Sequence, residues 1–151
     1  MKTAICYCSQ HHGNTLQLIR AMTEGYGVDL IDVTTAGPVD LTGYDMIGFA
    51  SGIYAFELHP KVLEFLKSHL PPGKKVFFAY TYGIAKGSGT KGITRAAGER
   101  GAKILGEFGC RGYVTYGPFK LLGGMGKGRP GREDLERAKK FFHSICAKAE
   151  M

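Results

Sequence analysis

The 151-residue chain predicts an open α/β fold, a parallel sheet with helices on both faces. Three observations lead there. Strand-length apolar segments recur five times along the sequence. Three of them are apolar or aromatic at nearly every position, as expected of strands covered on both sides. Helix-period stretches lie between them, and strands alternating with helices favour a parallel sheet joined by right-handed crossovers.

The five segments are TAICYC (3–8), VDLIDV (28–33), YDMIGFA (44–50), KKVFFAYTY (74–82) and the longer AKILGEFGCRGYVTYG (102–117). After the first, NTLQLIRAMTEGY places Leu16, Ile19, Met22 and Tyr26 on one helical face. PKVLEFLKSHL does the same with Val62, Phe65, Leu66 and Leu70, with Pro60 in a first-turn position and Pro71 just past the end. His59, before Pro60, reads as the residue leading into this helix. The last helix, REDLERAKKFFHSICAK, has Glu133 and Asp134 in its first turn and Lys148 near its end, in keeping with the helix dipole.

The length suits one domain, 1–151, around a single core. No apolar run approaches the roughly 20 residues of a membrane span, and MKTAICYCSQHH turns polar too early for a signal peptide, so a cytoplasmic location is expected. Cys6, Cys8, Cys110 and Cys146 then read as reduced thiols, most simply as small core residues. Charge is uneven. Residues 1–85 carry 6 basic and 7 acidic side chains, whereas residues 86–151 carry 14 and 6. A basic surface of this kind attracts anionic partners.

In an open α/β sheet ligands bind beyond the carboxyl ends of the strands. The first such loop is Ser9-Gln10-His11-His12-Gly13-Asn14-Thr15, running directly into a helix. Its short polar side chains, its glycine and the positive helix start make an anion site suited to phosphate. The competing readings are a plain capped turn, with Asn14 or Thr15 as N-cap, and a metal site using Cys6, Cys8 and the paired histidines. Strand burial accounts for both cysteines, so no metal is expected, and no lysine follows Gly13 as a Walker loop requires. Gly87-Ser88-Gly89-Thr90-Lys91-Gly92 fits the G-x-G-x-x-G spacing but does not directly follow its strand. Met125-Gly126-Lys127-Gly128 lacks the hydroxyl residue of a phosphate loop.

SQHHGNT resembles the phosphate loop of flavodoxins, one residue longer at the histidines. ASGIYAFELHPKVLEFL is similar to the loop covering one flavin face in a short flavodoxin subfamily, and CRGYVTYGPFKLLGGMGKGRPGREDLERAKKF to that subfamily's carboxyl-terminal region. The resemblance covers most of the chain. It implies a three-layer flavodoxin-like fold with a five-stranded parallel sheet of order 2-1-3-4-5. It also implies bound FMN, held by residues 9–15, by Ser51, Gly52, Ile53, Tyr54 and Ala55 after the third strand, and by Thr81, Tyr82 and Gly83 after the fourth. Either tyrosine is a candidate to stack on the flavin, and Lys127 or Arg129 is available to a partner. On this reading the protein is an electron carrier between redox partners, with no catalytic side chain of its own. Partners with acidic docking surfaces fit the basic charge, which departs from the acidic character typical of the family and implies a less negative reduction potential or a different partner face. The alternatives are an FMN-dependent reductase of a quinone or other small acceptor, and a flavin-free binding module. No aromatic-interleaved basic motif of a nucleic-acid reader is present.

Overall fold

In a computed structural model, residues 1–10, 12–54, 57–83, 87, 89–113, 124 and 126–151 are described. The strands are β1 (Thr3–Cys8), β2 (Asp29–Asp32), β3 (Met46–Tyr54), β4 (Glu57–Leu58), β5 (Lys75–Tyr82) and β6 (Lys103–Arg111). The helices are α1 (Asn14–Met22), α2 (Pro60–His69), α3 (Lys91–Glu99) and α4 (Arg132–Ala149). Five strands pair in parallel in the order β2-β1-β3-β5-β6, and the two-residue β4 pairs antiparallel with the end of β3. With β4 set aside this is the expected 2-1-3-4-5 order. The flavodoxin-like α/β architecture is thus present, with one short extra strand.

Alternation along the central strands divides the core into two layers. Cys6, Cys8, Ile47, Phe49, Val76, Phe78 and Tyr80 pack towards α2 and α3. Ile5, Met46, Ala50, Phe77 and Ala79 pack towards α1 and α4, against Leu18, Ile19, Phe142 and Ile145. Glycine makes room where rings cross the sheet. A Cβ on Gly48 would stand 2.4 Å from the Phe77 ring, and one on Gly109 would stand 2.1 Å from Tyr80.

Several boundaries differ from the sequence expectation. The third strand does not stop at Ala50 but runs to Tyr54, so Ser51 to Tyr54 are strand residues rather than a loop. Burial of Ser51 and Ile53 among neighbouring strands explains the extension. The last strand ends at Arg111 instead of Gly117, and residues 114–117 lie outside those described. The first helix ends at Met22, where the Thr23 hydroxyl donates to the Ile19 carbonyl at 2.7 Å. Tyr26 therefore lies beyond the helix, 45% exposed. Helix α3 has no counterpart among the named segments. Its Gly92 and Gly98 weaken the local helix signal, and burial of Ile93, Ala96 and Ala97 supplies what propensity lacks.

Candidate functional site

The strand order reverses between β1 and β3. At such a switch point the loops leave the sheet in opposite directions and open a crevice. Here a cleft with about 330 Å³ of empty space, its open mouth included, is lined by Ser9, Gln10, Asn14, Thr15, Gly52, Ile53, Tyr54, Thr81, Tyr82, Gly83 and Gly112. Ten of these were expected from the sequence. Gly112 was not, because the last strand was expected to run on to Gly117, which moved the loop bordering the site further along the chain.

The first loop is held from within. Gly13 is the N-cap of α1 in the left-handed region (φ 65°), so neither Asn14 nor Thr15 serves as cap. Both side chains turn inward instead. The Asn14 amide donates from Nδ2 to the Tyr113 carbonyl at 2.8 Å, and the Thr15 and Thr81 hydroxyls share a buried hydrogen bond of 3.2 Å. The capping acceptor comes from earlier in the loop, since Ser9 Oγ accepts from the Leu16 N–H at 3.0 Å. That leaves the Ser9 hydroxyl proton available for donation, beside a helix start whose first N–H groups have no helical acceptor.

Gly112 ties two walls together. Its N–H donates to the Tyr82 carbonyl at 2.9 Å, continuing the pairing of β5 with β6. A Cβ there would stand 2.6 Å from Asn14 Nδ2. His12 has φ 54° and stacks its ring on Tyr113, with centroids 4.6 Å apart and planes 9° apart. It does not line the cleft, nor do Gly13 or Ser51. His11 and Ala55, expected at the site, lie outside the described residues.

At the end of β3, the fully buried Ser51 hydroxyl accepts from the His59 N–H at 2.9 Å and donates to the Gly52 carbonyl at 2.7 Å. The Tyr54 ring lies back over Gly52, where a Cβ would meet its Cε2 at 3.2 Å. It meets the His59 ring edge-on, with centroids 5.2 Å apart. His59 caps α2 by accepting the Lys61 N–H at Nδ1 (3.1 Å), which places the proton of the neutral imidazole on Nε2. Burial and then the Lys61 charge hold its pKa below the ordinary histidine value. The β3–β4 hairpin is tied to the next loop, because Leu58 N–H donates to Gly89 O at 3.0 Å.

Around the rim, Arg111 donates from Nε to the Gly83 carbonyl at 3.0 Å. Asp134, 2% exposed, accepts from Arg129 Nε at 2.6 Å and Nη2 at 2.8 Å, from Arg137 Nη2 at 2.9 Å and from the Gly131 N–H at 2.7 Å. Burial would raise its pKa, but these four bonds outweigh it and hold the carboxyl below its ordinary value. Arg129 is therefore engaged by its own chain, unlike the free cation the sequence allowed. The cysteines belong to the core: Cys6 and Cys8 are fully buried in β1, and burial pushes the Cys6 thiol up to about 12. Among the described residues no cluster of three or more metal-ligating side chains occurs, and no helix is long and apolar enough to cross a membrane.

The sequence profile of the flavodoxin domain matches residues 4–109. The chain belongs to the flavodoxin family. An uncharacterized protein of Methanocaldococcus jannaschii is 37% identical over 147 residues, which cover 96% of this chain and 98% of that one. Among solved structures, a flavodoxin from the domain Archaea aligns over the whole of both chains with a TM-score of 0.73 and 18% identity. A short-chain flavodoxin associated with a non-canonical PDU bacterial microcompartment aligns over 99% of both chains, with a TM-score of 0.69 and 18% identity. Rubredoxin oxygen:oxidoreductase from Desulfovibrio gigas contains the same fold, and 99% of this chain covers 36% of it with a TM-score of 0.71 and 16% identity.

Proposed function

We propose that this flavodoxin-family chain binds FMN in the switch-point cleft and passes electrons between redox partner proteins. The observation that carries the proposal is the composition of the cleft: a helix start and small polar groups at one end, with Tyr54 and Tyr82 on the walls rising from β3 and β5. A phosphate needs N–H and O–H donors in a positive field, and a flavin ring needs flat apolar faces with a few polar edges. The first turn of α1, the Ser9 hydroxyl and the Gln10 amide suit the former. The two tyrosines and the backbone of Gly52, Thr81 and Gly83 suit the latter.

When bound, FMN supplies the redox chemistry. The protein's own residues bind, orient and shield. Thr15 and Thr81 brace α1 against β5, and Asn14 braces it against the exit of β6, so the phosphate end is preorganised by side chains that do not themselves reach outward. Ser51 fixes the Gly52 carbonyl, leaving that peptide's reorientation coupled to the His59 cap. Apart from the tyrosines, the described cleft lining carries no titratable side chain, which favours a carrier over an enzyme with a general acid or base. A partner with an acidic face suits the basic residues near the rim. We take residues 1–151 as one functional unit, acting in the cytoplasm.

The test is the absorption spectrum of the purified protein and the mass of its released cofactor. FMN released in a one-to-one ratio is the expected result. Colourless protein that also takes up no added FMN overturns the reading, and steady oxidation of NAD(P)H without a partner protein favours a reductase instead.

A further inference from the structure

One arginine of the basic second half of the chain stands beside the cleft, bonded to a residue that lines it. Arg111 is the last residue of β6 and pairs in register with Tyr82. Its Nε donates to the carbonyl of Gly83, a lining residue, at 3.0 Å. The next residue, Gly112, also lines the cleft and is bonded to the Tyr82 carbonyl. One guanidinium bond thus holds the side chain beside the wall, and the backbone that follows it is bonded to the same wall. Arg129 nearby is different, since it is clamped by the buried carboxylate of Asp134. Among the described residues no carboxylate forms an ion pair with Arg111.

We infer that Arg111 is a fixed cation that makes the cleft bind reduced FMN more tightly, relative to oxidised FMN, than a neutral side chain would, and so raises the reduction potential of the bound cofactor. The inference rests on the FMN reading above. Its physical basis is a difference in charge. Two electrons taken from dithionite, which is oxidised to sulfite, together with one proton from solvent give the flavin ring one negative charge that its oxidised form lacks. A nearby positive charge stabilises only the former, and only differential stabilisation shifts a potential. A guanidinium already engaged with Gly83 loses little additional freedom on providing that field.

The experiment compares wild type, Arg111→Gln, Arg111→Lys and Lys148→Gln. Lys148 is exposed in the last turn of α4, so its removal lowers net charge by the same amount away from the cleft. Oxidised-FMN affinity is measured by fluorescence quenching, and the reduction potential by dithionite titration against a reference dye. Together they give the affinity for reduced FMN. Arg111→Gln is expected to weaken reduced-FMN binding about tenfold more than oxidised-FMN binding, with a more negative potential. Arg111→Lys retains the wild-type ratio, and Lys148→Gln leaves the potential unchanged. A merely structural role for Arg111 would weaken both affinities equally, and that result overturns the inference. So does an equal shift in Lys148→Gln, which would assign the effect to bulk charge. Failure of the wild type to bind FMN is a separate outcome, which removes the functional reading itself.

Discussion

The two ends of the sheet are made by the same strands, yet their loops use side chains in opposite ways. At the amino end, exposed charged and hydroxyl groups close turns on one another. Asp40 accepts from the Thr42 N–H and hydroxyl, Tyr44 donates to Asp29 at 2.7 Å, and Lys74 donates to the carbonyls of Thr42 and Tyr44. The bond to Asp29 is the main reason that the Tyr44 hydroxyl is pushed up to about 12. At the carboxyl end the bonds of Asn14, Thr15 and Ser51 turn into the fold, and the surface left to a ligand is mainly backbone, glycine and tyrosine, with the Ser9 hydroxyl and the Gln10 amide. A loop closed by its outward side chains makes a stable surface. A loop held from behind leaves donors facing outward.

The most damaging break in this comparison is expected at Asp134. Asp134→Ala leaves two guanidinium groups and the Gly131 N–H without their shared acceptor at the start of α4. The arginines left behind are partly exposed and can be hydrated, so the loss expected in urea denaturation is that of charge-assisted hydrogen bonds, about 2–3 kcal/mol. At the amino end Asp40→Ala removes an exposed carboxylate that accepts two bonds from Thr42, and the urea midpoint should barely move. Equal losses at the two sites would erase the distinction between the ends.

A sharper test lies at Gly112. Gly112→Ala drives a methyl against the Asn14 amide and should destabilise the protein by about 1–3 kcal/mol, with weaker FMN binding. Asn14→Ala alone loses one partly buried bond, about 1 kcal/mol. The double variant removes the clash together with the amide, so its loss should be smaller than the sum of the single losses. Strict additivity in chemical denaturation would mean that the two residues do not meet. Tyr44→Phe, at the other end, should lower stability slightly and leave FMN affinity unaltered.

Local pattern made the strands readable, since TAICYC and VFFAYTY are apolar or aromatic at nearly every position and β1 and β5 fall on them. It also made the position of the cleft readable, because the sheet order places particular loops together whatever their detail. What it could not give was the direction in which a polar side chain points. SQHHGNT reads as a row of outward donors, but Asn14 and Thr15 face Tyr113 and Thr81, residues 99 and 66 positions away. Gly112 and Arg111 were obscured for the same reason, as their partners Asn14, Tyr82 and Gly83 are close only once β5 and β6 are paired. Ser51 to Tyr54 looked like a loop because glycine and serine seldom continue a strand. Burial between β1 and β5 overrides that preference.

The smallest expected effect separates the two ends by pH. His59 caps α2 with Nδ1 as acceptor, so protonation there removes the acceptor and also places a second charge near Lys61. Its pKa is lowered in the folded protein, chiefly by burial, so between the folded value and the ordinary value of about 6.5 the unfolded chain binds more protons. Stability contributed by neutral His59 is therefore complete above that ordinary value and is lost as pH falls through it towards the folded pKa. His59→Asn retains a side-chain oxygen able to cap the helix but cannot titrate, so urea denaturation across this window should show a shallower acid-side loss than wild type. The same substitution should also alter the FMN spectrum, because the Tyr54 ring rests edge-on against the imidazole beside the Gly52 peptide. Thr42→Ala at the amino end should change neither the pH profile nor the spectrum. An unchanged pH slope in His59→Asn would show that the imidazole is not what links this helix start to acidity.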